Sequence, residues 1–162
     1  MRTEKLMRAV SQKPNLTRAL KLYCHFVSAL TVAAFGLCLY FYAKISLLQA
    51  AKYLLTLGIP FVVVSLARRF FSAPRPYEIF DFYKEKPKSS EKNSFPSRHA
   101  FSVFAISVLM IFVYPIIGSL LFVLGISLCL ARLAVGYHFL RDLICGGVIG
   151  IISSLIGALV LM

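Results

Sequence analysis

Long stretches of this chain carry almost no charge, and charged residues crowd into the segments between them. Leu22 to Ala43 has no Lys, Arg, Asp or Glu; Ile45 to Ala67 has Lys52 alone; Ala100 to Ala131 and Leu143 to Met162 have none. A single membrane crossing needs about 17 to 25 apolar residues. Leu22–Ala43, Ile45–Ala67 and Leu143–Met162 are each one crossing. Ala100–Ala131 is long enough for two short ones, with Pro115 and Gly118 marking the turn. Nowhere do polar and apolar positions alternate with the period of a strand. The pattern predicts an all-α, polytopic transmembrane bundle of about five spans, with Pro60 tolerated inside the second.

Hydrophobic residues make up 59% of the 162 positions and the mean hydropathy is +0.81, which excludes an ordinary soluble globule. The net charge of +12 would suit nucleic acid. Here, however, the basic residues sit in caps and loops between lipid-soluble segments, so the expected partner is anionic lipid or phosphate. Residues 1–21 form a basic amphipathic segment in which Leu6, Met7 and Val10 suit a short helix on the membrane surface, broken at Pro14 and Asn15. Residues 22–162 form the transmembrane domain, whose first span is too long for a signal-peptide core and reads as a retained anchor. Residues 68–93 hold three prolines and many charges and are expected to be an exposed loop. The four cysteines, Cys24, Cys38, Cys129 and Cys145, lie in apolar stretches with no metal-type spacing and read as packing residues.

After Lys92 the only charged residues are Arg98, Arg132, Arg141 and Asp142, and the only histidines are His99 and His138. All lie at expected ends of spans. Ionisable groups are costly in lipid, so this clustering points to function. Counting crossings, the loop after the second span, the start of the third and the end of the fourth share one membrane face. His138 and Asp142, four residues apart, stack on one side of a helix, where the carboxylate accepts a hydrogen bond from the imidazole and leaves the other ring nitrogen free to attack. By itself such a pair also describes a capped helix end. Arg75, Arg98 and Arg132 add planar forks suited to phosphoryl oxygens, although single arginines at an interface also snorkel toward headgroups. Ser97 suits a helix cap beside unpaired backbone N–H groups that form a seat for an anion. His99 at its edge is placed to protonate a departing oxygen.

Together these residues resemble the type 2 phosphatidic acid phosphatase family, relatives of the vanadium haloperoxidases. The family's Lys-x6-Arg-Pro is similar to Arg68 through Arg75-Pro76. Its Pro-Ser-Gly-His is similar to Pro96-Ser97-Arg98-His99, and its Ser-Arg-x5-His-x3-Asp to Ala131-Arg132 through His138 and Asp142. The resemblance implies a lipid phosphatase in which His138 attacks phosphorus, Asp142 orients it and His99 is the general acid. It further implies that Arg68, Arg75, Ser97 and Arg132 hold the phosphate oxygens, with Arg98, where the family has glycine, expected to add a further contact. It implies no cofactor and no metal; the substrate is a phosphorylated lipid such as phosphatidic acid, phosphatidylglycerol phosphate or a prenyl diphosphate. Three positions depart from the motif: Arg68 stands for lysine, with Arg69 as a competitor, Arg98 for glycine and Ala131 for serine.

Two other readings stay open at this level. One is a catalytically silent phospholipid-binding membrane protein that keeps the basic pocket, and the other is a haloperoxidase using bound vanadate. Orientation signals oppose each other. The basic N-terminal residues put the pocket on the cytoplasmic side, while the resemblance implies the extracytoplasmic face of the cell membrane, which is the expectation adopted. Sequence leaves the oligomeric state open.

Overall fold

The computed structural model describes residues 2–71, 73–83 and 93–161. Its helices are α1 (Arg2–Ser11), α2 (Pro14–Ile45), α3 (Leu47–Phe70), α4 (Pro76–Ile79), α5 (Arg98–Val113), α6 (Pro115–Ala134) and α7 (Leu140–Leu161), with no strand among the described residues. The expected exposed loop at 68–93 divides: its first part holds α4, and residues 84–92 lie outside the described residues.

Helix boundaries follow local chemistry. Proline opens α2, α4 and α6, a position where its missing N–H and fixed φ cost nothing. Pro14 therefore begins a helix rather than only breaking one, and α2 starts eight residues before the uncharged stretch does. Ser46 separates α2 from α3, accepting a hydrogen bond from Gln49 N at 3.3 Å. The turn between α5 and α6 is Tyr114 alone. Gly118, expected in that turn, is helical and lies so close to the backbone of Ile111 that a β-carbon would overlap it.

Among the described residues four helices, α2, α3, α6 and α7, are long and apolar enough to cross a membrane. At 16 residues α5 is shorter, about 24 Å at 1.5 Å per residue. It is also the most enclosed: Phe101, Val103 and Leu109 are almost wholly buried among the others. The outward faces of the longer helices carry exposed Phe26, Val32, Leu37, Leu120 and Ile156, as lipid-facing surfaces do. Helix contacts within lipid depend on close backbone approach through small residues. Gly146, Gly150 and Ser154 form such a stripe along α7, facing Ser97, Phe101 and Ala105 of the α5 segment, and Ser154 Oγ donates to Ala105 O at 2.7 Å.

The basic N-terminal helix is tied to the bundle. Met7 is 1% exposed and joins Ala100, Leu133 and Leu143 in one apolar cluster, with Phe80, Phe82 and Tyr83 around it. The Arg8 guanidinium lies 5.6 Å from the Phe82 ring centre. So α1 covers the end of the bundle where α5 begins and α6 ends. The four cysteines are free thiols.

Candidate active site

The turn from α6 to α7 presents His138. Gly136 adopts φ +80 there, a left-handed conformation that other residues rarely take, and the Tyr83 hydroxyl covers the space a β-carbon would need. Tyr137 N donates to Arg132 O at 3.0 Å and completes the reversal. His138 is 2% exposed and Asp142 fully buried. His138 precedes α7 by two residues, so the turn, and not stacking on a helix face, brings the pair together. Their nearest atoms, Nδ1 and Oδ2, are 3.7 Å apart, longer than a hydrogen bond. The Ser94 hydroxyl stands between them, donating to Asp142 Oδ2 at 2.5 Å and lying 3.2 Å from His138 Nδ1. The same Oδ2 accepts from Phe139 N at 3.1 Å. Asp142 Oδ1 accepts no hydrogen bond from the described residues, but the exposed Arg141 Nε lies 3.4 Å away.

Burial pulls the His138 imidazole down to about 4 from its ordinary 6.5; the Asp142 carboxylate opposes that shift, and Arg132 and Arg75 add to it. The neutral ring is the stable form at physiological pH.

The expected arginines divide by what they touch. Arg132 is 8% exposed at the end of α6, with its guanidinium 5.2 Å from the Tyr137 ring centre. Arg75 packs likewise over Tyr77 at 5.7 Å and donates from Nη1 to the Tyr77 hydroxyl at 3.1 Å. Nε of each arginine is buried and meets no acceptor among the described residues. Arg68 is buried too, but its Nη1 donates to Pro96 O at 3.0 Å and its Nη2 to Asn93 O, so it grips the loop before α5. Arg69 is exposed.

Ser97 is fully buried and caps α5, accepting from Ala100 N at 3.4 Å while its own N–H donates to Asp142 O at 3.0 Å. His99 and Arg98 face a largely apolar cavity of about 250 Å³, between Ser28 and Thr31 of α2, Phe61 of α3 and Leu128 of α6. Burial holds the His99 imidazole below its ordinary value, and the charge of Arg132 adds to that shift. The structure thus gathers His138, Asp142, Arg75, Arg132 and His99 at one end of the bundle, with Ser97 beneath them and Arg68 behind the loop.

Sequence reasoning missed three participants. Ser94 carries no periodic signal. Tyr77 and Tyr137 adjoin Arg75-Pro76 and His138, and that adjacency was the available clue. Tyr77 and Tyr137 also line, with Tyr83, Arg18 and Lys21, a cavity of about 670 Å³ beside the start of α2. Burial pushes the Tyr137 phenol up, with Arg132 pulling the other way.

Residues 49–161 match the family described as the PAP2 superfamily. Among solved structures the chain is similar to LpxE of Aquifex aeolicus, with 21% identity, a TM-score of 0.69 and coverage of 95% of this chain and 93% of that one. It is also similar to the first transmembrane PAP2 type phosphatidylglycerolphosphate phosphatase from Bacillus subtilis, with 20% identity, a TM-score of 0.66 and coverage of 96% and 84%. No curated protein sequence matches it.

Proposed function

The chain belongs to the PAP2 superfamily, and from that membership we propose that it is a membrane lipid phosphatase working through a phosphohistidine on His138. One observation carries the reading. A buried, neutral His138 lies within electrostatic reach of the buried Arg132 and the half-buried Arg75, and the buried Nε donor of each arginine finds no acceptor among the described residues. A tetrahedral phosphoryl group would supply those acceptors.

In the proposed reaction the Nε2 lone pair of His138 attacks phosphorus, and the bond from phosphorus to the lipid oxygen breaks. His99, protonated once the bound phosphoryl anion offsets the burial and arginine charge that hold it neutral in the free enzyme, gives that oxygen its proton. Water then attacks the phosphohistidine and passes a proton to His99, the electron pair returns to Nε2, and inorganic phosphate leaves. Arg75 and Arg132 stabilise charge on the non-bridging oxygens as the five-coordinate transition state forms. Arg98 adds cationic character at the mouth, and Ser97 anchors the start of α5 to the Asp142 backbone. Arg68 supports the site from behind by holding the loop.

The substrate in this reading is a phosphorylated lipid of the phosphatidic acid, phosphatidylglycerol phosphate or prenyl diphosphate class. The apolar cavity beside His99 suits the chain nearest the leaving oxygen, and the cavity lined by Arg18, Lys21 and the Tyr77 and Tyr137 rings that pack on Arg75 and Arg132 suits a polar headgroup. The chemistry assigned to these side chains needs no metal. In keeping with the resemblance, the reading assigns the site to the extracytoplasmic face, which accessibility labelling of a cysteine introduced at position 90 would check.

The test is phosphate release by the purified full-length protein from short-chain phosphatidic acid, phosphatidylglycerol phosphate and a prenyl diphosphate, with His138→Ala as control. Release that depends on His138 is expected. Equal rates in both proteins would overturn the reading and leave a phospholipid-binding protein.

A further inference from the structure

We propose that Ser94 is a positioning residue for the nucleophile: its hydroxyl links His138 Nδ1 to Asp142 and thereby sets the tautomer that leaves Nε2 free to attack. The inference rests on the phosphatase reading and concerns how the same site is held ready.

The geometry leaves the direct histidine–carboxylate contact too long, at 3.7 Å, and puts one oxygen within bonding distance of both groups: 2.5 Å from Asp142 Oδ2 and 3.2 Å from His138 Nδ1. An ionised carboxylate can only accept, so the single Ser94 proton is committed to Asp142. Toward His138 the serine then offers only lone pairs. Nδ1 must carry the ring proton, and Nε2 keeps its electron pair. With Ser94 and Asp142 fully buried, bulk solvent does not reach the link, and an unmade bond there would be costly.

The backbone around Ser94 is built to hold it. Ser94 N donates to Ala73 O at 2.9 Å, and Arg68 grips the carbonyls of Asn93 and Pro96 on either side. The end of α3, through Arg68, and the carbonyl of Ala73 therefore fix the hydroxyl against a histidine 44 positions further along the chain. This gives Arg68 a purpose apart from touching phosphate.

The experiment compares kcat and KM for wild type, Ser94→Ala, Ser94→Thr, Asp142→Asn and the double variant Ser94→Ala/Asp142→Asn, using short-chain phosphatidic acid in detergent micelles. Ser94→Ala should lower kcat by about 10- to 100-fold, the range seen when a group that orients a ligand or base is removed, with KM within about twofold, because the loss falls on the transition state. Ser94→Thr, which keeps a hydroxyl, should recover most of the rate. In the double variant the loss should exceed that of Asp142→Asn by no more than about threefold, since both act through one link. Multiplying losses, or a Ser94→Ala enzyme with wild-type kcat, would overturn the proposal while leaving the phosphatase reading intact. Nitrogen NMR of histidine-labelled protein, assigned with His138→Gln, gives a readout independent of turnover. A single Nδ1–H tautomer in wild type and a mixture in Ser94→Ala supports the link even if no phosphate is released, and the same tautomer ratio in both refutes it.

Discussion

Gly146 of α7 lies directly against the carbonyl oxygen of Ser97, so closely that a β-carbon at Gly146 would overlap it. The same contact surface includes the hydrogen bond from Ser97 N to Asp142 O at 3.0 Å, so the depth at which α7 sits on α5 also sets where Asp142 stands beneath His138. Helix packing and site geometry are one arrangement at this point.

Gly146→Ala should therefore destabilise the protein, although alanine is the better helix former by about 1 kcal/mol. The atom it meets is backbone and cannot swing aside, and overpacking of this kind costs about 1–3 kcal/mol. Thermal unfolding in detergent should show a lower midpoint together with reduced kcat. Gly36→Ala, where nothing lies within 4 Å, is the control and should be neutral or slightly stabilising. A Gly146→Ala protein as stable and active as wild type would contradict the packing argument.

His99→Ala should lose activity in proportion to how poor the leaving group is. A lipid alkoxide needs a proton as it departs, and positioned general acids are worth about 10²- to 10⁴-fold. An aryl phosphate such as p-nitrophenyl phosphate leaves without that help. Comparing kcat/KM on the two substrates should give a large deficit for the lipid and a much smaller one for the aryl ester; equal deficits would remove His99 from the acid role.

The pH profile should carry the mark of His138. Its folded value is held down at about 4 against an ordinary 6.5, so the neutral imidazole persists well into acid. The acid limb of kcat/KM that reports this group in the free enzyme should fall toward pH 4 rather than near 6.5. Stability moves in the same window. Between pH 6.5 and about 4 the unfolded chain takes up a proton at this position that the folded one refuses, so stability is full above 6.5 and declines as pH drops toward 4. Unfolding midpoints measured across that range should fall more steeply for wild type than for His138→Gln.

The ends of the spans were legible because charge is so rare in lipid that Arg132, His138 and Asp142 stood out from their surroundings. The helices were legible for the same reason, through unbroken apolar runs. Ser94 was not, because a hydroxyl in a loop is unremarkable until the fold brings it to partners 44 and 48 positions away. Nor was the burial of Met7: an amphipathic N-terminal helix has the same pattern whether its apolar face meets lipid or, as here, Leu133 and Leu143. The His138–Asp142 spacing pointed to the right neighbours with the wrong geometry, since four residues spell one helical turn only if a helix has already begun, and α7 begins at Leu140.

Arg132→Lys should be far from conservative. Lysine keeps the charge but loses the planar fork and the stacking on Tyr137, 5.2 Å from the guanidinium carbon. If Arg75 and Arg132 hold the equatorial oxygens of the phosphoryl group, each lysine variant should lower kcat/KM by about 10- to 100-fold, the worth of one or two charge-assisted bonds. Vanadate, which adopts the five-coordinate geometry, should inhibit wild type and lose potency in the same variants by a similar factor. Arg69→Lys, at an exposed position, should change neither quantity. Chelators should leave the wild-type rate intact, because every role in the reaction is assigned to imidazole, guanidinium, hydroxyl or carboxylate. Vanadate inhibition that is indifferent to Arg75 and Arg132, or activity that vanishes with chelation and returns with magnesium, would mean that the phosphoryl oxygens are held by something other than this pair of arginines.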